Sequence, residues 1–252
     1  MIFNKILNKF FQSFDEEVKG SMIKLVEATK VVYAGVQAKL KPTPNKSHYT
    51  FNLRDISKIF QGVCSAHQKT ITNKTQLLQL WFHENLRVFA DRMISEEDKE
   101  VLKELIFTQT EKEFSTTKDA VLDRERIVFG DYLMGNESDN RPYQIFDDLN
   151  VFVKKIEEYL EDYNAGSKHA MKLVMFLDAC DHVSRICRVL RQPLGNALLL
   201  GVGGSGRQSL TKLATFISKF DLYQIEVIKG YSMRDWRENA KTCLMQAGCE
   251  GK

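Results

Sequence analysis

Four glycines crowd into six positions of this chain, Gly201, Gly203, Gly204 and Gly206, and no other segment restricts the fold as tightly. Only 14 glycines and 4 prolines occur in 252 residues, and a fifth member of the cluster, Gly195, lies just upstream. Glycine and proline are the residues that interrupt helices, so a chain sparing of both is expected to be mostly helical. Concentrating glycine in one run marks a place where the backbone adopts conformations closed to other residues. Before the run, residues 197–200 (Ala-Leu-Leu-Leu) form a short apolar stretch, the pattern of a strand buried on both faces of a parallel sheet. After it, Leu210, Leu213, Ala214, Ile217 and Phe220 recur at helical spacing, and residues 223–228 read as a second strand. The expected unit is strand, loop, helix and strand, about thirty residues long as such crossovers are.

Glycines in such a loop bring amide N–H groups close around an anion, and the helix that follows adds unpaired donors and partial positive charge. Residues Gly201, Val202, Gly203, Gly204, Ser205, Gly206, Arg207, Gln208 and Ser209 are therefore the candidate phosphate-binding set. Two templates compete. Gly201-x-Gly203-x-x-Gly206 fits the dinucleotide fingerprint, with Glu226 twenty residues beyond the last glycine, although Glu226 lies inside the second strand rather than at its end. The phosphate-loop template G-x-x-x-x-G-K-[ST] fits at Gly201 and Gly206 but places Arg207 at the lysine and Gln208 at the hydroxyl. Arginine still pairs with phosphate, as a planar fork rather than a point charge. Ser209, one place further on, is the candidate Mg²⁺-ligating hydroxyl. A purely structural strand-to-helix turn is the plain alternative.

In a phosphate-loop ATPase another strand carries the acid that holds Mg²⁺ and the group that positions water. After Ile228 only 24 residues remain, and none forms an apolar run ending in Asp or Glu. Residues 248–252 read instead as a loop leading towards a further strand. The chain is expected to stop in mid-domain and not to hydrolyse ATP by itself.

Composition sets the outer limits. Hydrophobic residues make up 43% and charged residues 27%, a globular balance. The net charge of +3 is too weak to argue for nucleic acid or an anionic membrane as partner. Five cysteines without a Cys-x-x-Cys pair fit a reducing compartment. The N-terminal apolar residues are broken by Lys5 and Lys9, unlike a signal peptide. The expectation is a soluble intracellular protein. Length alone suggests roughly 1.7 domains.

Upstream, helical stripes dominate. Phe3, Ile6, Leu7, Phe10, Phe11 and Phe14 form the first, and Met22, Leu25, Val26, Thr29, Val32, Tyr33, Val36 and Leu40 the second. Asn52 is the expected N-cap of a third helix, and Leu77, Leu80, Trp81, Leu86, Phe89 and Met93 mark a fourth. Ser95 with Asp98 opens a fifth. Residues 1–113 thus read as a helical bundle, 114–146 as a linker centred on the turn-rich run 135–142, and 147–252 as the beginning of an α/β domain. Helical periodicity within the last part runs from Leu149 to Leu160 and from Leu173 to Leu190. Arg185, Arg188 and Arg191 share one face there, read as solvated or as meeting a neighbouring module.

The segment from Met171 through Asp181-His182, continuing to Gly201-Val-Gly-Gly-Ser-Gly-Arg-Gln-Ser-Leu210, closely resembles dynein heavy chains at the beginning of their fourth AAA+ module. Gly-Arg-Gln-Ser in place of Gly-Lys-Thr is similar to axonemal rather than cytoplasmic members. Residues 47–62 (Ser-His-Tyr-Thr-Phe-Asn-Leu-Arg-Asp-Ile-Ser-Lys-Ile-Phe-Gln-Gly) and 83–92 resemble the lid of the preceding, third module. The resemblance implies a mostly α lid bundle followed by a partial α/β P-loop domain with parallel strands. It implies a place in an ATP-driven microtubule motor of the cytoskeleton, in the ciliary or flagellar axoneme, with ATP or ADP and Mg²⁺ as cofactors. It also implies the neighbouring AAA+ modules as partners, with microtubules and dynein intermediate and light chains reached through the parent protein. Arg54 is matched by the resemblance to the lid arginine that approaches the third module's γ-phosphate; from the residues alone it reads as a solvated cation paired to Asp55 or Asp91. The competing functions are a dinucleotide-dependent oxidoreductase fragment and a non-catalytic helical adaptor.

Overall fold

The computed structural model describes residues 2–134, 141–167 and 170–249. The turn-rich run expected as linker centre lies mostly outside them, since of 135–142 only Arg141 and Pro142 are described. Helices α1 (Ile2–Phe10), α2 (Glu16–Lys39), α3 (Leu53–Val63), α4 (Lys74–Val88), α5 (Glu96–Phe114) and the short α6 (Lys118–Val121) build the first half. Local chemistry sets their starts. Asn52 accepts the Arg54 amide while Asp55 accepts the Asn52 amide, a reciprocal capping box at α3. Asn73 and Ser95 cap α4 and α5 in the same manner, through the Gln76 and Asp98 amides.

These helices enclose one core in which Leu7, Val18, Leu25, Val32, Ile59, Leu80, Trp81 and Phe89 have no exposed surface. The first stripe is only half buried: Leu7, Phe11 and Phe14 are inside, whereas Ile6 and Phe10 face out. A 3₁₀ turn at Phe11–Ser13 rotates the chain and splits the stripe.

A second core holds Phe152 and Ile156 of α7 (Leu149–Gly166), Cys180 and Val183 of α8 (Leu177–Arg191), and Leu213, Ala214 and Ile217 of α9 (Arg207–Ile217). Between the cores runs a two-stranded antiparallel ribbon, β1 (Phe129–Gly130) and β2 (Gln144–Ile145), pairing Phe129 with Ile145. Side chains alternate across a strand, so Val128 enters the second core while Phe129 enters the first. Tyr143 and Phe146 divide likewise. The ribbon is the shared wall that holds the bundle against α8.

The expected parallel strands do not form. Residues 197–200 and 223–228 carry no ladder among the described residues, and Leu198, Leu200, Val227 and Ile228 remain exposed. Two short parallel strands cannot cover both their faces, so without further neighbours the apolar runs gain nothing by pairing. A mostly helical chain is what the fold shows. Residues 173–176, expected in the helix that became α8, lie outside any helix; the helix begins at Leu177. Gly248 and Cys249, read as loop, close the exposed helix α10 (Met233–Cys249). No helix among the described residues is long and apolar enough to cross a membrane.

Candidate functional site

The glycine loop arches directly into α9. Gly204 (φ +81°) and Gly206 (φ +78°) both occupy the left-handed region that side chains disfavour, and Gly206 is the N-cap of the helix. A Cβ at Gly203 or Gly204 would meet open space, so the backbone there is bare to an approaching ligand. The Leu210 amide makes the first bond of the helix, to Gly206, whereas the amides of Arg207, Gln208 and Ser209 reach no backbone carbonyl. Three orphan donors at the positive end of a helix dipole are what an anion requires. The residues present therefore fit a phosphate group.

The loop floors a cavity of about 790 Å³ lined by Gly203 to Ser209 on one side and Leu222 to Ile225 on the other. Val202 and Gly201 stand just outside that lining, and Gly201 closes tightly on Ser205. The Arg207 guanidinium folds back onto its own loop, donating to the Val202 carbonyl at 3.3 Å and the Leu199 carbonyl at 3.5 Å. Both bonds are long and to neutral acceptors, which a charged oxygen outcompetes. Ser209 lines the cavity on the first turn of α9. Lys212, which the motif templates do not include, lines it as well. Its spacing of four from Gln208 was the signal available, because positions i and i+4 share a helix face. Glu226 does not line the cavity, which removes the ribose-binding acid from the dinucleotide reading.

Arg54 is not part of this site. It sits exposed on the first turn of α3 and does not line the loop's cavity. Neither expected partner is bound to it: Asp55 is buried and pairs with Arg92 at 3.0 Å, and Asp91 pairs with Arg87 and Arg185. No ion pair of Arg54 occurs among the described residues, so its guanidinium is free to reach outward.

The arginine face of α8 meets carboxylates and is only partly exposed. Arg188 grips Glu84 of α4, Arg185 pairs with Asp91 and Asp181, and Arg191 meets Asp131 at 2.7 Å and lies over the Tyr143 ring. Cys180 and Cys187 are buried thiols pushed up to about 12 by desolvation, so they serve packing and not reactivity.

Comparison with known sequences bears on the same two halves. Residues 25–124 match the family described as the AAA+ lid domain, and residues 171–252 match the P-loop containing dynein motor region D4. Dynein axonemal heavy chain 1 of Mus musculus is 48% identical over 226 residues, covering 90% of this chain and 5% of the relative. Dynein axonemal heavy chain 3 of the same species is 43% identical over 240 residues, covering 90% and 6%, and human dynein axonemal heavy chain 6 is 40% identical over 253 residues, covering 100% and 6%. The chain thus spans about a twentieth of the length of these relatives. With a lid match, a P-loop match and homology along most of its length, the chain belongs to the dynein heavy-chain family and is of the axonemal type.

Proposed function

We propose that this chain contributes, within an ATP-driven microtubule motor of the axoneme, a AAA+ lid and the phosphate loop of the following module. Residues 1–113 are the lid, 114–146 the connection, and 147–252 the N-terminal part of the next α/β domain. The carrying observation is the pair of left-handed glycines that presents three orphan amides at the start of α9.

In this reading the amides of Arg207 to Ser209 hold the β- and γ-phosphates of ATP or ADP, and Arg207 releases its loop carbonyls to pair with them. Ser209 Oγ is the hydroxyl that would contact Mg²⁺. The ion, when bound, neutralises phosphate charge; this chain's residues bind and orient. In this reading the chain by itself does not turn over ATP, because no apolar run after Ile228 ends in Asp or Glu. Arg54, projecting from its capped helix, acts at the lid's own nucleotide, a separate site. Neighbouring AAA+ modules are the direct partners, and microtubules and the intermediate and light chains are reached through the parent protein.

The test is titration of the chain with the fluorescent nucleotide mant-ATP, with and without Mg²⁺, alongside a phosphate-release assay. Saturable binding lost in Arg207→Ala, with no phosphate release, is expected. Turnover that disappears in Arg207→Ala would overturn the non-hydrolysing reading, and absence of binding would overturn the nucleotide site.

A further inference from the structure

The strongest feature outside the loop is a buried ion cluster where α4 meets α8. Glu84 has no exposed surface, yet its carboxylate is fully engaged. Arg188 Nε donates to Oε1 at 3.2 Å and Oε2 at 3.1 Å, Nη2 also reaches Oε2, and the Tyr143 hydroxyl donates to Oε1 at 3.2 Å. Gly62 on α3 makes the room: a Cβ there would overlap the Glu84 carboxylate. Around this pair, Arg87 meets Asp91 at 3.4 Å and Asp181 at 3.5 Å, and Arg185 meets Asp91 at 3.3 Å and Asp181 at 2.5 Å. Across the contact the charges are complementary. The bundle contributes Glu84, Asp91 and Arg87, one negative in excess; α8 contributes Arg185, Arg188 and Asp181, one positive in excess.

A buried ion pair adds little net stability, because desolvation offsets its attraction, but removing one partner is costly. Its use is to permit one seating and penalise the rest. That seating extends to α9, the helix that the loop begins. Cys187, adjacent to Arg188, packs its thiol on the Ala214 carbonyl of α9, and Arg141 donates to the Ile217 carbonyl at the end of α9 at 2.7 Å. The first residues of α9 carry the orphan amides.

We propose that Glu84 is a positioning residue that pins the lid to α8 and thereby sets the phosphate loop, so that lid seating and nucleotide affinity at the loop are coupled. The consequence for binding rests on the nucleotide reading above; the mechanical pin does not. Binding linkage is reciprocal, so a loosened lid lowers nucleotide affinity and bound nucleotide firms the lid.

The experiment is a double-variant cycle on the chain with Glu84→Gln, Arg188→Gln and both together. Amide hydrogen exchange of residues 207–217 and the mant-ATP dissociation constant of the folded fraction are the two readouts. Each single variant is expected to speed exchange in α9 and weaken mant-ATP by about fivefold or more, with the double variant no worse than either single. Arg188→Lys, which keeps the charge and loses the fork, should restore part of the affinity. Unchanged exchange in α9 would overturn the pin. Affinity within twofold of the parent, while exchange is faster, would overturn the coupling alone. If the parent itself binds no mant-ATP, the nucleotide reading fails, and exchange in α9 still decides the pin.

Discussion

Acid should loosen the lid through one imidazole. His83 is buried on α4 with its Nδ1 3.1 Å from the Ile127 carbonyl. A carbonyl only accepts, so Nδ1 carries the proton, and the ring is neutral with Nε2 facing the Tyr143 hydroxyl at 3.4 Å. Burial holds its pKa well below 6.5, and the charges of Arg87, Arg188 and Arg185 reinforce this against the Ile127 hydrogen bond. Glu84 and Tyr143 face it from the other side. Because the folded state refuses a proton that the unfolded chain accepts, stability is unaffected above pH 6.5 and falls as the pH drops beneath it. At pH 5.5 the unfolded imidazole is about ten-elevenths protonated, which sets an upper bound on the loss of about 1 kcal/mol. Other groups titrate too; Asp91, pushed up by burial, favours the folded state in acid. Comparison with His83→Asn at each pH removes such shared terms, and Asn retains a donor towards Ile127. Urea unfolding followed by emission of Trp81, which is buried in the first core, is the assay at pH 7.5, 6.5 and 5.5. The variant is less stable at pH 7.5, and the gap should narrow by up to about 1 kcal/mol at pH 5.5. A gap that stays constant across this range would refute the argument.

Three further outcomes are expected. Trp81 Nε1 donates to Thr29 Oγ1 at 2.8 Å inside the first core, so Thr29→Val leaves an unpaired indole N–H and should cost about 1–3 kcal/mol by urea unfolding. Asn52→Ala removes the acceptor of the α3 capping box and should lower stability by about 1 kcal/mol, seen as faster exchange of the Arg54 and Asp55 amides. At the loop, Gly206→Val forces a β-branched residue to φ +78° and should abolish mant-ATP binding while leaving the first core's unfolding midpoint unchanged.

The helices were readable because their causes are local. The apolar residues of α2 and α4 recur at the helical period, and Asn52 and Ser95 reach donors two or three residues away. The loop was readable for the same reason: φ +81° and +78° are demands on single residues, and glycine meets them wherever the chain goes. Lys212 escaped the motif because a cavity wall is set by the facing segment, residues 222–225, and not by consensus spacing.

Apolar runs at 197–200 and 223–228 look like strands, but a ladder is made of partners, and a sequence stretch cannot supply its own. The arginines of α8 present the converse case. Their spacing placed Arg185, Arg188 and Arg191 on one face, and spacing could not say whether that face met water or carboxylates. Glu84, Asp91 and Asp131, 104, 94 and 60 residues away from them in sequence, decided it. By itself the sequence determined most of the helices before the glycine loop, the caps Asn52 and Ser95 and the loop itself, but not α10, since hydrogen bonds four residues apart and single backbone angles need only neighbours. The tertiary structure alone decided the buried charges and the fate of the strands, because both depend on groups that only folding brings together.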